Sequence, residues 1–233
     1  MASLAGDGAK TLVAQAMDAV RGHIGEARLR VGDALPGEGY FAERLGVSRA
    51  VMREAFGALA ALRLIDVANG RRARVGALDG AVIAASLEHA LSTAQIRVVD
   101  IWDVRRTIEM RTAALAALHA TPAQAARIVA IAEGMTHGGD EPHEATTEDD
   151  IAFHLAIAEA SGNVLFAQIV SSFVPLMRVA VPEAWKTRET EDQRSDILNR
   201  HRRLARAIAD GDAEEATRCM AGHFDESIGA LLA

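Results

Sequence analysis

Three residues, Gly46-Val47-Ser48, stand between two stretches of helical spacing. So short a connection makes two helices cross instead of running on as one, and it narrows the amino-terminal fold to a helix-turn-helix. Residues 38–45 read as the first of the pair. Ser48 caps the second, since its hydroxyl can accept from a free amide of the first turn, and that helix runs to about Arg63. Along it Val51, Ala55, Ala58, Leu59 and Leu62 recur at spacings of three and four and form an apolar stripe. Arg49 and Arg53, four apart, share a different face. Upstream, Leu12, Val13, Ala16, Met17, Val20 and Ile24 place a helix over 8–27, and "RVGDALPGEG" breaks it into a loop. Downstream, the extended runs Leu64–Val67 and Ala73–Val75 flank Asn69-Gly70, a strong hairpin signal. Helix, helix, turn, helix, hairpin is the order of a winged helix-turn-helix.

The charge follows this division. Residues 1–76 hold 11 Lys+Arg and 8 Asp+Glu, a balance of +3, while residues 77–233 hold 14 against 24, a balance of −10. A basic first third on an acidic remainder suits one polyanion-binding domain joined to a domain with another task. Arg49 and Arg53 lie where such a helix meets base edges, and an arginine can fork onto guanine O6 and N7. Arg71, Arg72 and Arg74 lie at or beside the hairpin tip, where a wing reaches the minor groove or adjacent phosphates.

After "GALDG" (76–80), a linker, the spacing is helical almost throughout. Helices are expected at 81–92, 98–119, 122–136, 146–161, 163–179, about 190–210 and 212–231, with a loop at 138–142 and Pro182 ending the helix through Arg178. Thr121-Pro122 and Gly211-Asp212 supply caps. Aromatics are 4 % of the chain, and alanine and leucine dominate, which favours packed helices over sheets. The expected fold is mainly α: a winged helix-turn-helix over 1–76, a linker and connecting helix over 77–97, and an all-helical antiparallel bundle over 98–233. The single cysteine, Cys219, excludes an internal disulfide framework. No charged-then-apolar leader precedes a cleavage site and no apolar run reaches membrane-spanning length, so a soluble cytoplasmic protein is expected.

The stretch "LPGEGYFAERLGVSRAVMREAFGALAALRLIDVANGRRARV" resembles the DNA-binding domain of GntR-type bacterial repressors, whose pattern is L-P-S-E-x-x-L-A-x-x-L-G-V-S-R-x-x-V-R-E-A-L followed by a glycine-containing wing. The resemblance implies that Arg49 and Arg53 are recognition-helix contacts and that Gly70 is the wing-tip glycine. Three positions depart from the pattern. Gly37 replaces the usual serine, Gly39 stands where many members carry a DNA-contacting arginine or lysine, and the Gly-x-Gly wing is here Gly70-Arg71-Arg72. One such head covers a half-site, so a homodimer on a palindromic double-stranded operator is expected.

Three of eight histidines stand out in the second domain. Asp150 and His154 are four apart on one helix face and can reach a single ion. His201 and His223 fall in the last two expected helices. In an antiparallel bundle these four side chains can converge, a set that suits a borderline divalent ion, zinc or nickel before cobalt, iron or manganese. Asp149 could replace Asp150, but only Asp150 has the spacing of four. His23, His89, His119, His137 and His143 are assigned no role.

Residues 98–231 resemble the all-helical FCD effector domain of the FadR-like branch of GntR regulators, through "VRRTIEMRTAALAA" (104–117), "DIAFHLAIAEASGN" (150–163) and the pair His201 and His223. The resemblance implies that Asp150, His154, His201 and His223 hold the ion. It also implies that Arg105, in an R-x-x-hydrophobic-E piece, faces the ligand cavity. The expected function is a ligand-responsive transcriptional regulator, a repressor whose second domain binds a divalent metal and a small organic acid, a sugar acid or hydroxy acid, to modulate operator affinity. Asn163 is read as a helix cap. The rival readings are a metal sensor with the ion as effector, a metalloenzyme and a nucleoid protein. An enzyme is not expected, since no nucleophile elbow, P-loop or dinucleotide fingerprint is present.

Overall fold

The computed structural model describes residues 10–68, 70–136, 144–186 and 190–232. Asn69, the loop 138–142, residues 8 and 9, and His137 and His143 lie outside the described residues. The chain divides into two compact units between Val82 and Ile83.

The first unit holds α1 (Leu12–Glu26), α2 (Glu38–Leu45), α3 (Arg49–Ala61), β1 (Ile65–Asp66) and β2 (Arg74–Val75). Ser48 caps α3, its hydroxyl accepting from Val51 N at 3.2 Å, a bond worth about 1 kcal/mol of helix stability. Gly46 ends α2 in the left-handed conformation (φ 66°) that a glycine adopts without steric cost. The buried face of α3 is Met52, Ala55, Phe56 and Leu59. This face keeps Ala55 and Leu59 of the expected stripe and adds Met52 and Phe56, while Val51 and Ala58 sit at its margin and Leu62, the C-cap, is 45 % exposed. Phe56 packs against Phe41 of α2, ring centroids 5.9 Å apart. Ala16 and Val20 from α1, Leu35, Ile65, Ala73 and Val75 complete this core.

The wing is antiparallel, with Ile65 opposite Val75 and Asp66 opposite Arg74. Its strands are shorter than expected, yet the sheet gains an isolated bridge from Ala34 to Arg74, inside a stretch that reads as loop in the sequence. Gly70 takes φ 72° at the turn. Gly76 is required for another reason: a Cβ there would lie 2.4 Å from the Arg63 carbonyl oxygen.

The second unit is helical among the described residues. Its elements are α4 (Ala81–Ser92), α5 (Val98–His119), α6 (Pro122–Gly134), α7 (Glu144–Ala160), α8 (Val164–Ser172), α9 (Val174–Lys186), α10 (Glu191–Ala209) and α11 (Ala213–Leu232). Thr121 caps α6 in a reciprocal box with Gln124, with proline at the first helical position. Asn163 caps α8, its side chain accepting from Leu165 N at 3.0 Å. Gly211 (φ 76°) closes α10, and Asp212 accepts from Glu215 N at 2.9 Å to open α11. α5 packs along both α11 and α7, and α10 packs on α6 and α11. Small residues at the contacts, among them Ala113, Ala116, Ala156, Ala160 and Ala216, let these helices approach closely.

Two sequence expectations fail in one place. The helix expected over 163–179 is two helices, α8 and α9, bent by 58° at Phe173, whose ring is buried with Leu176 and Met177. Pro182 does not terminate a helix; it lies inside α9, which continues to Lys186. A proline there removes one backbone bond and strains the turn before it, about 3 kcal/mol. Burial of Ala184 and Trp185 beyond it keeps the last turn in place. No single helix among the described residues is long and apolar enough to cross a membrane.

Candidate functional site

Asp150 and His154 project from α7, one turn apart, and His201 and His223 come from α10 and α11. One ligand atom from each lies within 4.8 Å of every other. His154 Nε2 is 3.2 Å from His223 Nε2 and 3.9 Å from Asp150 Oδ1. His201 Nε2 is 3.2 Å from the same Asp150 oxygen without the alignment of a hydrogen bond. The three imidazoles are buried, whereas Asp150 is partly open. Phe153 and Phe224 close the site from the sides with edge-on ring contacts.

The imidazoles are also oriented. His201 Nδ1 donates to the Ile197 carbonyl at 3.0 Å, which turns Nε2 toward the cluster. His154 Nδ1 meets Glu109 Oε2, so its Nε2 also faces inward. Glu109 is fully buried on α5, and its other oxygen accepts from Arg105 Nε at 2.8 Å. Burial pushes the Glu109 carboxyl up, but Arg105 and His154 together outweigh it and hold the group below the usual carboxylate range. At Asp150 burial is likewise overcome by His154, His201 and His223, and the carboxyl is held well below its ordinary value. Burial, with the facing His201 and His154, pushes His223 well below its ordinary value, so its imidazole is neutral at pH 7. A neutral His223 beside an ionised Asp150 suits a divalent ion. On donor type and spacing these residues fit such an ion.

Arg105 is buried beside the cluster, with its guanidinium carbon 4.4 Å from the centroid of the Trp102 ring and 5.1 Å from that of Phe224. A cavity of about 40 Å³ is lined by Trp102, Arg105, Asp150, Trp185, His201 and His223 among others. The sequence reading brought together Asp150, His154, His201, His223 and Arg105, and the structure places all five here. It had no role for Glu109, Trp102 or Trp185. Glu109 was in view as the last letter of the R-x-x-hydrophobic-E piece, but nothing in the sequence distinguishes it from a surface partner of Arg105. Asp149 is not part of the cluster.

In the first unit Arg49 and Arg53 are exposed on α3, and Arg71, Arg72 and Arg74 are exposed on the wing. Ser48 spends its side chain on capping. Arg74 is partly committed to structure, since its Nη1 donates to the Gly32 carbonyl. Gly39 faces Arg49: a Cβ at 39 would lie 3.8 Å from Arg49 Nη2.

Comparison with known proteins decides the family. The model of bacterial regulatory proteins of the gntR family matches residues 12–75, and the FCD domain model matches residues 100–226. The chain belongs to the GntR family. The Glc operon transcriptional activator of Escherichia coli strain K12 is 31 % identical over 200 residues, 84 % of this chain and 79 % of that protein. The galactonate operon transcriptional repressor of the same organism is 30 % identical over 192 residues, 79 % and 82 % of the two chains. A solved GntR protein of Streptococcus agalactiae shares the fold, with a TM-score of 0.67 at 24 % identity over 95 % of this chain and all of that one. GntR proteins are ligand-responsive transcriptional regulators that bind operator DNA, and neither the family nor these relatives are enzymes.

Proposed function

We propose that this GntR regulator is a repressor whose FCD domain holds a divalent metal ion and a small organic acid, and that acid binding lowers its affinity for a palindromic operator. The observation that carries the reading is the convergence of Asp150, His154, His201 and His223 within 4.8 Å of one another beside the buried Arg105. An ion held by these four side chains, zinc or nickel by donor type, would supply a positive centre with positions open to a carboxylate. Arg105 keeps its Nε on Glu109 and retains a buried Nη1 with no partner among the described residues. A buried guanidinium edge without an acceptor favours an anionic ligand over the ion alone. The cavity of about 40 Å³ takes a short acid more readily than a long one. One of the relatives is named for galactonate, a sugar acid, and the proposed ligand class is a hydroxy acid or sugar acid.

Residues 1–76 form the operator-reading head in this proposal, 77–97 the connector and 98–233 the receptor. Arg49 and Arg53 read bases from the exposed face of α3, Ser48 holds that face in register, and Gly70, Arg71, Arg72 and Arg74 form the wing. A palindrome calls for a homodimer, and exposed Val104, Val164, Leu165 and Val179 leave apolar surface on the second unit for one. A ligand shifts operator affinity only by its differential affinity for the two conformers, and a tenfold preference corresponds to about 1.4 kcal/mol.

The test is fluorescence anisotropy on the palindrome upstream of the gene, with zinc-loaded protein titrated with lactate, malate and galactonate. The expected result is a rise in the operator Kd of tenfold or more with at least one acid. An unchanged Kd with every acid overturns the acid reading. A Kd that follows zinc alone makes the protein a metal sensor instead.

A further inference from the structure

Two buried N–H groups, on side chains that line the cavity, lack a partner among the described residues: Arg105 Nη1 and Trp102 Nε1. The two side chains are 1 % and 5 % exposed. They are stacked, with the Arg105 guanidinium carbon 4.4 Å from the Trp102 ring centroid. Phe224 holds the indole edge-on, ring centroids 5.8 Å apart, and Glu109 holds the guanidinium at Nε. The pair is thus packed from both sides, and both side chains are buried away from water. A buried donor left unmatched is costly, and indole N–H groups in protein interiors nearly always find an acceptor. The economical acceptor is the ligand itself.

We propose that Trp102 Nε1 is a specificity-determining donor that acts together with Arg105 Nη1 on the oxygen-bearing end of the acid, the end that the metal ligands do not face. The inference rests on the acid-receptor reading above and adds to it the residue that recognises the ligand's second oxygen-bearing group. The preferred ligand carries a second oxygen-bearing group, a carboxylate or hydroxyl, beyond its first carboxylate. A site built to bond such a group discriminates strongly against an analogue lacking it, because the donors are then buried unpaired. Acetate therefore binds poorly and malate well.

The chain has two tryptophans, Trp102 and Trp185, so the ¹⁵N-labelled protein gives two indole N–H resonances, and the Trp102→Phe variant assigns them. The variant keeps an aromatic ring against Arg105 and Phe224 and removes the donor. In zinc-loaded wild-type protein, malate is expected to move the Trp102 indole proton downfield. Trp102→Phe is expected to weaken malate about tenfold, the effect of one hydrogen bond to a charged group, while zinc and acetate affinities stay within twofold. Malate that binds with the Trp102 resonance unmoved, or equally well to Trp102→Phe, overturns the proposal and leaves the acid receptor standing. An equal loss of acetate and malate also overturns it, since the ring and not the donor is then responsible. Should zinc-loaded wild-type protein bind neither malate nor lactate, the acid-receptor reading falls and this one with it.

Discussion

Glu109 and His154 meet inside the bundle through a carboxylate oxygen and Nδ1, both side chains fully buried and 45 positions apart in the chain. The bond fixes the ring so that Nε2 faces the other donors. Losing such an orienting carboxylate typically costs 10–100-fold in metal affinity. Glu109→Gln is therefore expected to weaken zinc binding by that factor in calorimetric titration. It also leaves Arg105 buried without its counter-charge, and urea denaturation should show a loss of about 3–5 kcal/mol. A variant that keeps wild-type zinc affinity would deny Glu109 any part in the site.

The metal-free protein should lose stability in acid, starting near neutrality. His223 has a folded pKa well below the 6.5 of a free imidazole. Between those two values the unfolded chain takes a proton that the folded chain refuses, so stability is full above about pH 6.5 and falls as pH drops toward the folded value. Glu109 and Asp150, both held below their ordinary values, add losses of the same sign at lower pH. Denaturation midpoints from pH 8 to pH 5 in a chelator should fall, and His223→Asn should flatten the upper part of that slope. A midpoint that rises on acidification contradicts the assignment.

Arg49 and Arg71 should differ in how they fail. Arg49 opens the exposed face of α3; its loss to alanine should cost about 1–3 kcal/mol on the operator and relax preference at one base pair. Arg71 is exposed on the wing; its loss should weaken all sequences alike and reduce the salt slope by about 1. Anisotropy on operator variants across a salt series separates the two. A uniform loss with a reduced salt slope for both would mean that neither reads a base.

Gly39 offers a gain of function. A side chain there has ordinary clearance, with Arg49 Nη2 as its nearest neighbour at 3.8 Å, and glycine costs about 1 kcal/mol in a helix relative to alanine. Gly39→Lys is expected to raise the thermal midpoint and to steepen the salt dependence of operator binding by about 1. An unchanged slope would show that position 39 does not reach the phosphates.

What the sequence made legible was local or carried by a motif. Ser48, Gly46 and the four-residue spacing of Asp150 and His154 need only a few neighbours to be read. Two errors came from forces that spacing does not encode. Pro182 reads as a stop, yet α9 continues past it with Ala184 and Trp185 buried beyond. Phe173 reads as one more apolar residue of a long helix, yet its burial among Leu176 and Met177 marks a corner. Glu109 lay hidden because Arg105 and Glu109, four apart, look like an exposed helix pair until α7 brings His154 against them. The apolar stripe of α3 was legible at Ala55 and Leu59, but Met52 and Phe56 take the places expected of Val51, Ala58 and Leu62, because apolar residues sit on both candidate faces.

The donor set is also spread along the chain in order of synthesis. During translation the orienting carboxylate of α5 emerges first, then the pair on α7, then His201, and His223 follows on α11. A nascent chain stopped short of α11 carries three of the four donors and lacks the helix that packs along α5. The proposed four-donor site is thus complete only once nearly the whole receptor has been synthesised, and products truncated before α11 have three of its donors.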